Sequence, residues 1–358
     1  MANFGRTQPA LAWGVDKIDM ISEVRNAGIL TTGNVVWVKH PSDADYTTVK
    51  QAVGRQFLFD DIQSAIDSPR IRGGLNDVII VCPRDNQSPW VVTGTPAGIN
   101  LNKDNVHLLG LGAGKSFGSS SVILEQPGTA GTIGTMGVLQ VTGDACEVAG
   151  FYFLGTAGTS TGGTMGDGGD GGVVTVGAGV QGLDLHDFKI EKTGVQWDAG
   201  TTGITGTPQA DLVIGSAARD ITVRNGYILS GTGLLASASH GIKLMFNNTD
   251  IRVKDVEFLA NKDAAASTFI LQSPGTANNA MSLIVDRCKF YNTSGTAVAS
   301  AVGGTMGVGM RALIHESMGV NVTQIGTAGS TFVAPVYGTA TVVKNPYLGI
   351  GTAALISA

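Results

Sequence analysis

Cys146-x-Val148-x-Gly150-Phe151-x-Phe153 and Leu183-x-Leu185-x-Asp187-Phe188-x-Ile190 share one grammar, and three more stretches repeat it. These are Ile221-x-Val223-x-Asn225-Gly226-x-Ile228, Ile251-x-Val253-x-Asp255-Val256-x-Phe258 and Leu283-x-Val285-x-Arg287-Cys288-x-Phe290. A shorter copy, Val106-x-Leu108-x-Gly110-Leu111, opens the series. Apolar residues alternate with period two, as in a strand whose successive side chains face opposite ways. The phase then breaks at a Gly, Asp, Asn or Arg and resumes. A corner produces this break, because the bend returns the next apolar residue to the same interior. Successive copies start at 106, 146, 183, 221, 251 and 283, roughly 30 to 40 residues apart, the spacing of stacked coils. The chain therefore reads as an all-β parallel solenoid, with one ladder of Ile, Val, Leu and Phe buried along its axis.

The composition agrees. Of 358 residues 52 are Gly, while 43% are hydrophobic, 14% charged and 6% aromatic. Disorder needs low hydrophobicity and high charge, which this chain lacks. A solenoid grows along one axis, so this length needs no second core. The net charge of -5, without a basic run, excludes a nucleic-acid footprint. No run approaches 18 apolar residues, and residues 1–6 carry no apolar signal region, so the expectation is synthesis in a host cytoplasm with no membrane partner. Cys82, Cys146 and Cys288 are odd in number and far apart, and the last two occupy apolar repeat positions. They read as buried small hydrophobes rather than metal or redox groups.

Residues 1–56 lie outside the repeat grammar and read as a small α/β attachment arm. Asp16–Ala27 is predicted helical, Asn34–Val38 a strand, and Pro41–Val53 a second helix with Ser42 as its cap. Phe4, Trp13, Ile18, Ile21 and Trp37 are the expected contacts with a larger particle. Residues 57–325 form the solenoid. Residues 326–358 are apolar with Lys344 as the only charge from Thr331 onward, and are expected to cap the far end or bury against sister chains.

Phe59–Ile66 reads as an amphipathic helix, Asn76–Val81 as a buried strand and Leu101–Gly110 as the next coil. That order resembles the opening of right-handed parallel β-helices of the pectin-lyase-like kind, in which a helix plugs the first coil. A plug keeps apolar side chains and unpaired strand edges from water. Arg84-Asp85 departs from the pattern, where such proteins usually carry a Gly-rich turn after the Pro. The resemblance covers roughly residues 57–325 and implies a fold. That fold carries lyases, hydrolases, adhesins and phage tailspikes alike, so function must come from sites.

Few sites emerge. Gly110-Leu111-Gly112-Ala113-Gly114-Lys115-Ser116 ends like a phosphate-binding loop, but Leu109 stands where the first Gly is needed and no helix pattern follows. Asp167 and Asp170, in a single Gly/Asp stretch, are the candidate ligands of a weak cation site, against a simple loop; no other metal or cofactor is expected. Asp184, Asp187, Asp220, Asp250 and Asp255 are candidate acids, but Asp187 and Asp255 occupy the corner, and Asp220 and Asp250 precede strands as turn residues do. His40, His107, His186, His240 and His315 show no metal or triad spacing. Trp90, Trp197, Tyr152 and Tyr227 are too dispersed for a sugar platform. The Gly-Thr insertions, such as 128–131 and 163–166, either pack against a neighbouring subunit or form loops without a partner.

With no catalytic residue assigned, the expectation is a non-enzymatic structural protein on a phage virion surface. It would be a capsid decoration protein or compact spike, anchored by residues 1–56 on the major capsid protein or another virion component, and trimeric. The alternative is a tailspike depolymerase acting on bacterial surface polysaccharide.

Overall fold

The computed structural model describes residues 33–92, 98–111, 122–126, 137–156, 172–193, 209–230, 239–260, 268–272, 281–293, 300–304, 310–322, 330–333 and 337–338. Among the described residues all the strand pairings are parallel and fall into two sheets, one of 17 strands and one of seven. The protein is a right-handed parallel β-helix.

Three buried ladders run the length of the body. Leu108, Val148, Leu185, Val223, Val253, Val285 and Ile314 stand side by side before the corner. Leu124, Phe153, Ile190, Ile228, Phe258 and Phe290 do so after it. Leu139, Val174, Leu212, Ile242, Ile270 and Val302 form the facing ladder in the smaller sheet. Coil length varies around this constant register: Ile99 lies beside Leu139, whereas Ile242 lies beside Ile270. The alternation read from the sequence puts the predicted inward residues inside, with two exceptions. Leu111 is half-buried because the chain does not turn a corner at Gly110, which stays paired with Val81, and Val320 is half-buried beside Tyr291, while Val322 is buried.

From Gly150 onward the phase break is a left-handed residue. Gly150, Asp187, Asn225, Asp255, Arg287 and Glu316 have φ of 81°, 51°, 49°, 53°, 49° and 43°. Asn and Asp tolerate this region and Gly favours it, whereas Arg and Glu adopt it only when packing over-determines them. At Gly150 no side chain fits, because a Cβ would lie 2.2 Å from the Gly110 carbonyl oxygen.

The first coil starts earlier than the repeats. Strand β1 (Val35–Val38) pairs with β2 (Leu58–Phe59) and with β3 (Asp77–Val81), so this part of residues 1–56 lies in the same sheet as the coils. Helix α1 (Tyr46–Val53) lies over the outer face and makes a second apolar cluster of Trp37, Val49, Val53, Leu58, Val78, Ile80 and Cys82. Coverage on both faces explains the unbroken apolar run in β3. Helix α2 (Ile62–Asp67) plugs the coil with Ile62, Ala65 and Ile66, and the Asp61 carboxylate accepts from the Ser64 N–H at 2.9 Å as its N-cap. It starts after Phe59 because Phe59 belongs to β2.

Ser42 does not cap α1, which begins four residues later; its hydroxyl instead bonds His40 and Arg84. The residue before α1, Asp45, turns its carboxylate to Lys39. The Lys39 side chain is 2% exposed, with Nζ 2.9 Å from both Asp43 and Asp45 and donating to the Pro83 carbonyl. Burial alone would lower its pKa, but the hydrogen bonds to Asp45 and Asp43 outweigh that and hold it above the usual lysine value. Cys146 and Cys288 are buried unpaired thiols, pushed up by burial to about 11 and about 12, in line with the hydrophobe reading. Strands continue past residue 325: Ser330–Val333 pairs with Ala312–His315, and Tyr337–Gly338 with Met318–Gly319.

Inside and outside differ sharply at neighbouring residues. Phe290 stacks on Phe258 with centroids 4.9 Å apart. Phe290→Ala should cost about 3–5 kcal/mol, whereas Tyr291→Ala, facing out, should cost under about 1 kcal/mol. Urea denaturation midpoints of the two variants check this register.

Candidate functional site

The outer face of the larger sheet carries two rows rich in ionisable groups. Here a residue's neighbours are its equivalents one coil up and one coil down, spaced about 4.8 Å apart. His107, Glu147, Asp184, Thr222, Arg252 and Ile284 form one outward row, and Ala149, His186, Arg224, Lys254, Asp286 and His315 the next.

At its centre is a hydrogen-bonded chain. His107 Nδ1 lies 2.5 Å from Glu147 Oε2, and Glu147 Oε1 lies 2.8 Å from His186 Nε2. His186 Nδ1 is 2.7 Å from Asp187 Oδ2, and the Asn225 amide donates to the other Asp187 oxygen. Four successive coils are thus joined by five side chains. Hydrogen bonds from His107 and then His186 hold the Glu147 carboxyl down at about 2, against the opposing effect of burial. The Glu147 bond, with a smaller contribution from Asp187, raises the pKa of His186 despite its partial burial. With a carboxylate at each ring nitrogen, His186 is built to be an imidazolium.

Beyond the corner lies a second group. Lys189 Nζ sits 4.1 Å from the centroid of the Tyr152 ring and pairs with Glu191, to which the Tyr152 hydroxyl also donates. Burial, then the bond to Glu191, raises the Tyr152 pKa. Lys189 thus occupies one face of the Tyr152 ring.

The candidate acids find partners between coils. Arg224 binds Asp184 through two nitrogens, at 3.0 and 2.8 Å. Arg252 reaches Asp220 at 3.1 Å, and Arg287 grips Asp255 with two bonds of 2.8 Å. Asp250 is a left-handed turn residue whose N–H is bonded by Ser282 Oγ. Asp187 belongs to the histidine chain. The turn and corner roles expected from the sequence therefore hold, and each cation adds a clip to the next coil.

Other sequence-level candidates separate. Trp37 is 5% exposed under α1 and so presents no docking ring; its alternate-residue position in β1 points it at the second cluster. Trp90 is buried, donating from Nε1 to the Cys82 carbonyl at 3.1 Å. His40 stands edge-on to Trp90, and His240 is buried against Thr268. Phe4, Trp13, Ile18, Ile21, Asp167, Asp170 and Trp197 lie outside the described residues. The chain His107–Glu147–His186 was missed because its members lie a coil apart; a search for ionisable residues at coil-length offsets would have found it.

The ladder predicts a window of pH. Glu147 is depressed, so its contribution is present above about pH 4.5 and lost as pH falls toward 2. His186 is raised, so its contribution is full below about pH 6.5 and lost as pH rises through the folded value. The acid limb should be worth about 1–2 kcal/mol, after discounting for the partial exposure of Glu147. Glu147→Gln should flatten the acid limb and shift the alkaline limb downward in a series of denaturation midpoints against pH; superimposable wild-type and variant curves would mean the ladder adds nothing.

No family model matches the sequence, and no curated protein matches it. Solved structures do. A rhamnogalacturonan lyase aligns over 86% of this chain and 73% of its own, at 11% identity and a TM-score of 0.50. Pectin methylesterase PemA from Erwinia chrysanthemi aligns over 86% of this chain and 90% of its own, at 11% identity and TM-score 0.44. ORF18 of Geobacillus virus E2 aligns over 96% of this chain and 65% of its own, at 14% identity and TM-score 0.32. At such identity the likeness is one of architecture, and the architecture is that of the pectin-lyase-like right-handed parallel β-helix.

Proposed function

We propose that the protein is a structural component of a phage virion, a capsid decoration protein or compact spike whose work is done by shape. The observation that carries this reading is the use of its outer charges. Asp184, Asp220 and Asp255 are each matched to an arginine of the adjacent coil, and Asp187 is bound by His186 and Asn225. Groups that could otherwise converge on a substrate are engaged in joining one coil to the next. Together with parallel pairing from Val35 to Gly338, they describe a body built to be stiff. On this reading residues 1–32, with Phe4, Trp13, Ile18 and Ile21, hold the body on the major capsid protein or another virion component. Sister chains associate as a trimer at the virion surface, and Trp37 serves the fold.

A second reading is a depolymerase for bacterial surface polysaccharide, and the half-buried Glu147–His186 pair favours it as an acid–base centre.

Deleting residues 1–32 leaves β1 and both helices in place. The truncated protein should keep its circular dichroism spectrum and denaturation midpoint but lose at least tenfold in occupancy on particles. Full occupancy without that segment would overturn the docking assignment. Incubating the full chain with host polysaccharide separates the second reading: new reducing ends or unsaturated products, lost in Glu147→Gln, would establish it.

A further inference from the structure

We propose that residues 348–352 bind the open edge of the smaller sheet as its next strand and so close the far end of the core. The smaller sheet ends at Ser300–Gly304, which pairs with Thr268–Gln272 on one side and has no partner strand on the other among the described residues. The larger sheet runs on, from Met310–His315 to Ser330–Val333 and from Met318–Val320 to Tyr337–Gly338. An edge strand turns alternate N–H and C=O groups to its open side, where they need water or another strand. Ser300, Ala301 and Val302 are 2%, 0% and 0% exposed, so polypeptide and not water lies against this edge.

An orphaned amide marks the same place. Gln272 is fully buried, and neither its Nε2 nor its Oε1 has a hydrogen-bond partner among the described residues. Gly304, its neighbour in the last strand, has no side chain to offer. An unpaired buried amide is costly, which favours a polar group on the rung that follows.

Chain length selects the occupant. Between Met318–Val320 and Ser330–Val333 no described strand joins the smaller sheet, so its edge is still open when the chain reaches Gly338. Residues 339–358 remain. In two described coils the smaller-sheet strand starts ten positions after an inward Phe beyond the corner, from Phe258 to Thr268 and from Phe290 to Ser300. Gly319 pairs with Phe290 and Gly338 with Gly319, so Gly338 holds the equivalent place. Ten positions further on is Leu348. Leu348-Gly349-Ile350-Gly351-Thr352 then matches His240-Gly241-Ile242-Lys243-Leu244 and Ser300-Ala301-Val302-Gly303-Gly304. In this register Ile350 extends the buried ladder of Leu212, Ile242, Ile270 and Val302. Thr352 brings a hydroxyl to the rung beyond Gly304, in the column of Gln272. Lys344 falls in the connection, outside the strand.

The test is hydrogen exchange, read by mass spectrometry of peptides covering residues 300–304. It compares the full-length chain, an Ile350→Asp variant and a chain ending at Asn345. The amides of Ala301, Val302 and Gly303 should exchange about tenfold or more faster in both altered proteins, while those of Ile251–Ala260 keep their original rates. Val343→Asp, in the connection, should leave residues 300–304 unchanged. Protection in the full-length chain should persist on about hundredfold dilution, because the strand comes from the same molecule. The shortened chain carries the test if Ile350→Asp does not fold. Equal exchange in the full-length and shortened chains would overturn the assignment. So would an effect of Val343→Asp in place of Ile350→Asp, or protection that fades on dilution and so comes from a second copy.

Discussion

Coil-on-coil register is the constraint on which everything else in this molecule rests. In a parallel stack each inward side chain sits directly on its equivalent in the coils above and below, so a slip of one residue would turn a whole strand inside out. Val148, Leu185, Val223, Val253 and Val285 show what satisfies it: residues of similar shape at one repeated position. The aromatic rungs Phe258 and Phe290 satisfy it by stacking flat, and Phe269 from the facing sheet fills the remaining space at 5.4 Å from Phe290.

The same register organises the outside. Because equivalent positions recur about every 4.8 Å, any polar residue on the outer face has a neighbour within side-chain reach one coil away. Unlike charges there become clips, as Asp184 with Arg224 and Glu257 with Lys289 demonstrate. Single exposed pairs of this sort are worth little, but a continuous ladder fixes many neighbours at once. At the plugged end the outer face becomes apolar instead, and α1 covers it. One rule thus gives a dry interior, a knitted exterior and a helix-covered start.

Much of the fold was legible because solenoid grammar is local. Period-two alternation, a break at Gly150, Asp187, Asn225, Asp255 and Arg287, then resumption, named both the inward residues and the corner, whose left-handed backbone the structure adds. The start of the first coil was harder to read. Val35–Val38 lacks the break, and Trp37 looks like an exposed anchor until α1 is laid over it. The ionic sites were least legible. His107 and Glu147 are 40 residues apart, and Asp286 and His315 are 29 apart. Such pairs become visible only when coil length is known, and that length changes from coil to coil.

That variation is largest on one flank, apart from the opening coil, which runs from Leu108 to Leu124 across the corner where the next runs from Val148 to Phe153. Between the strand after the corner and the next strand of the smaller sheet, the chain runs from Thr156 to Val174 in one coil but only from Ala260 to Thr268 in another. From Leu185 to Ile190, by contrast, every residue keeps its counterpart in Val223 to Ile228 and Val253 to Phe258. The solenoid therefore has a permissive seam along one flank. Segments can be lengthened, shortened or exchanged there without moving a rung, so the molecule can remodel one side of its surface while its skeleton stays the same.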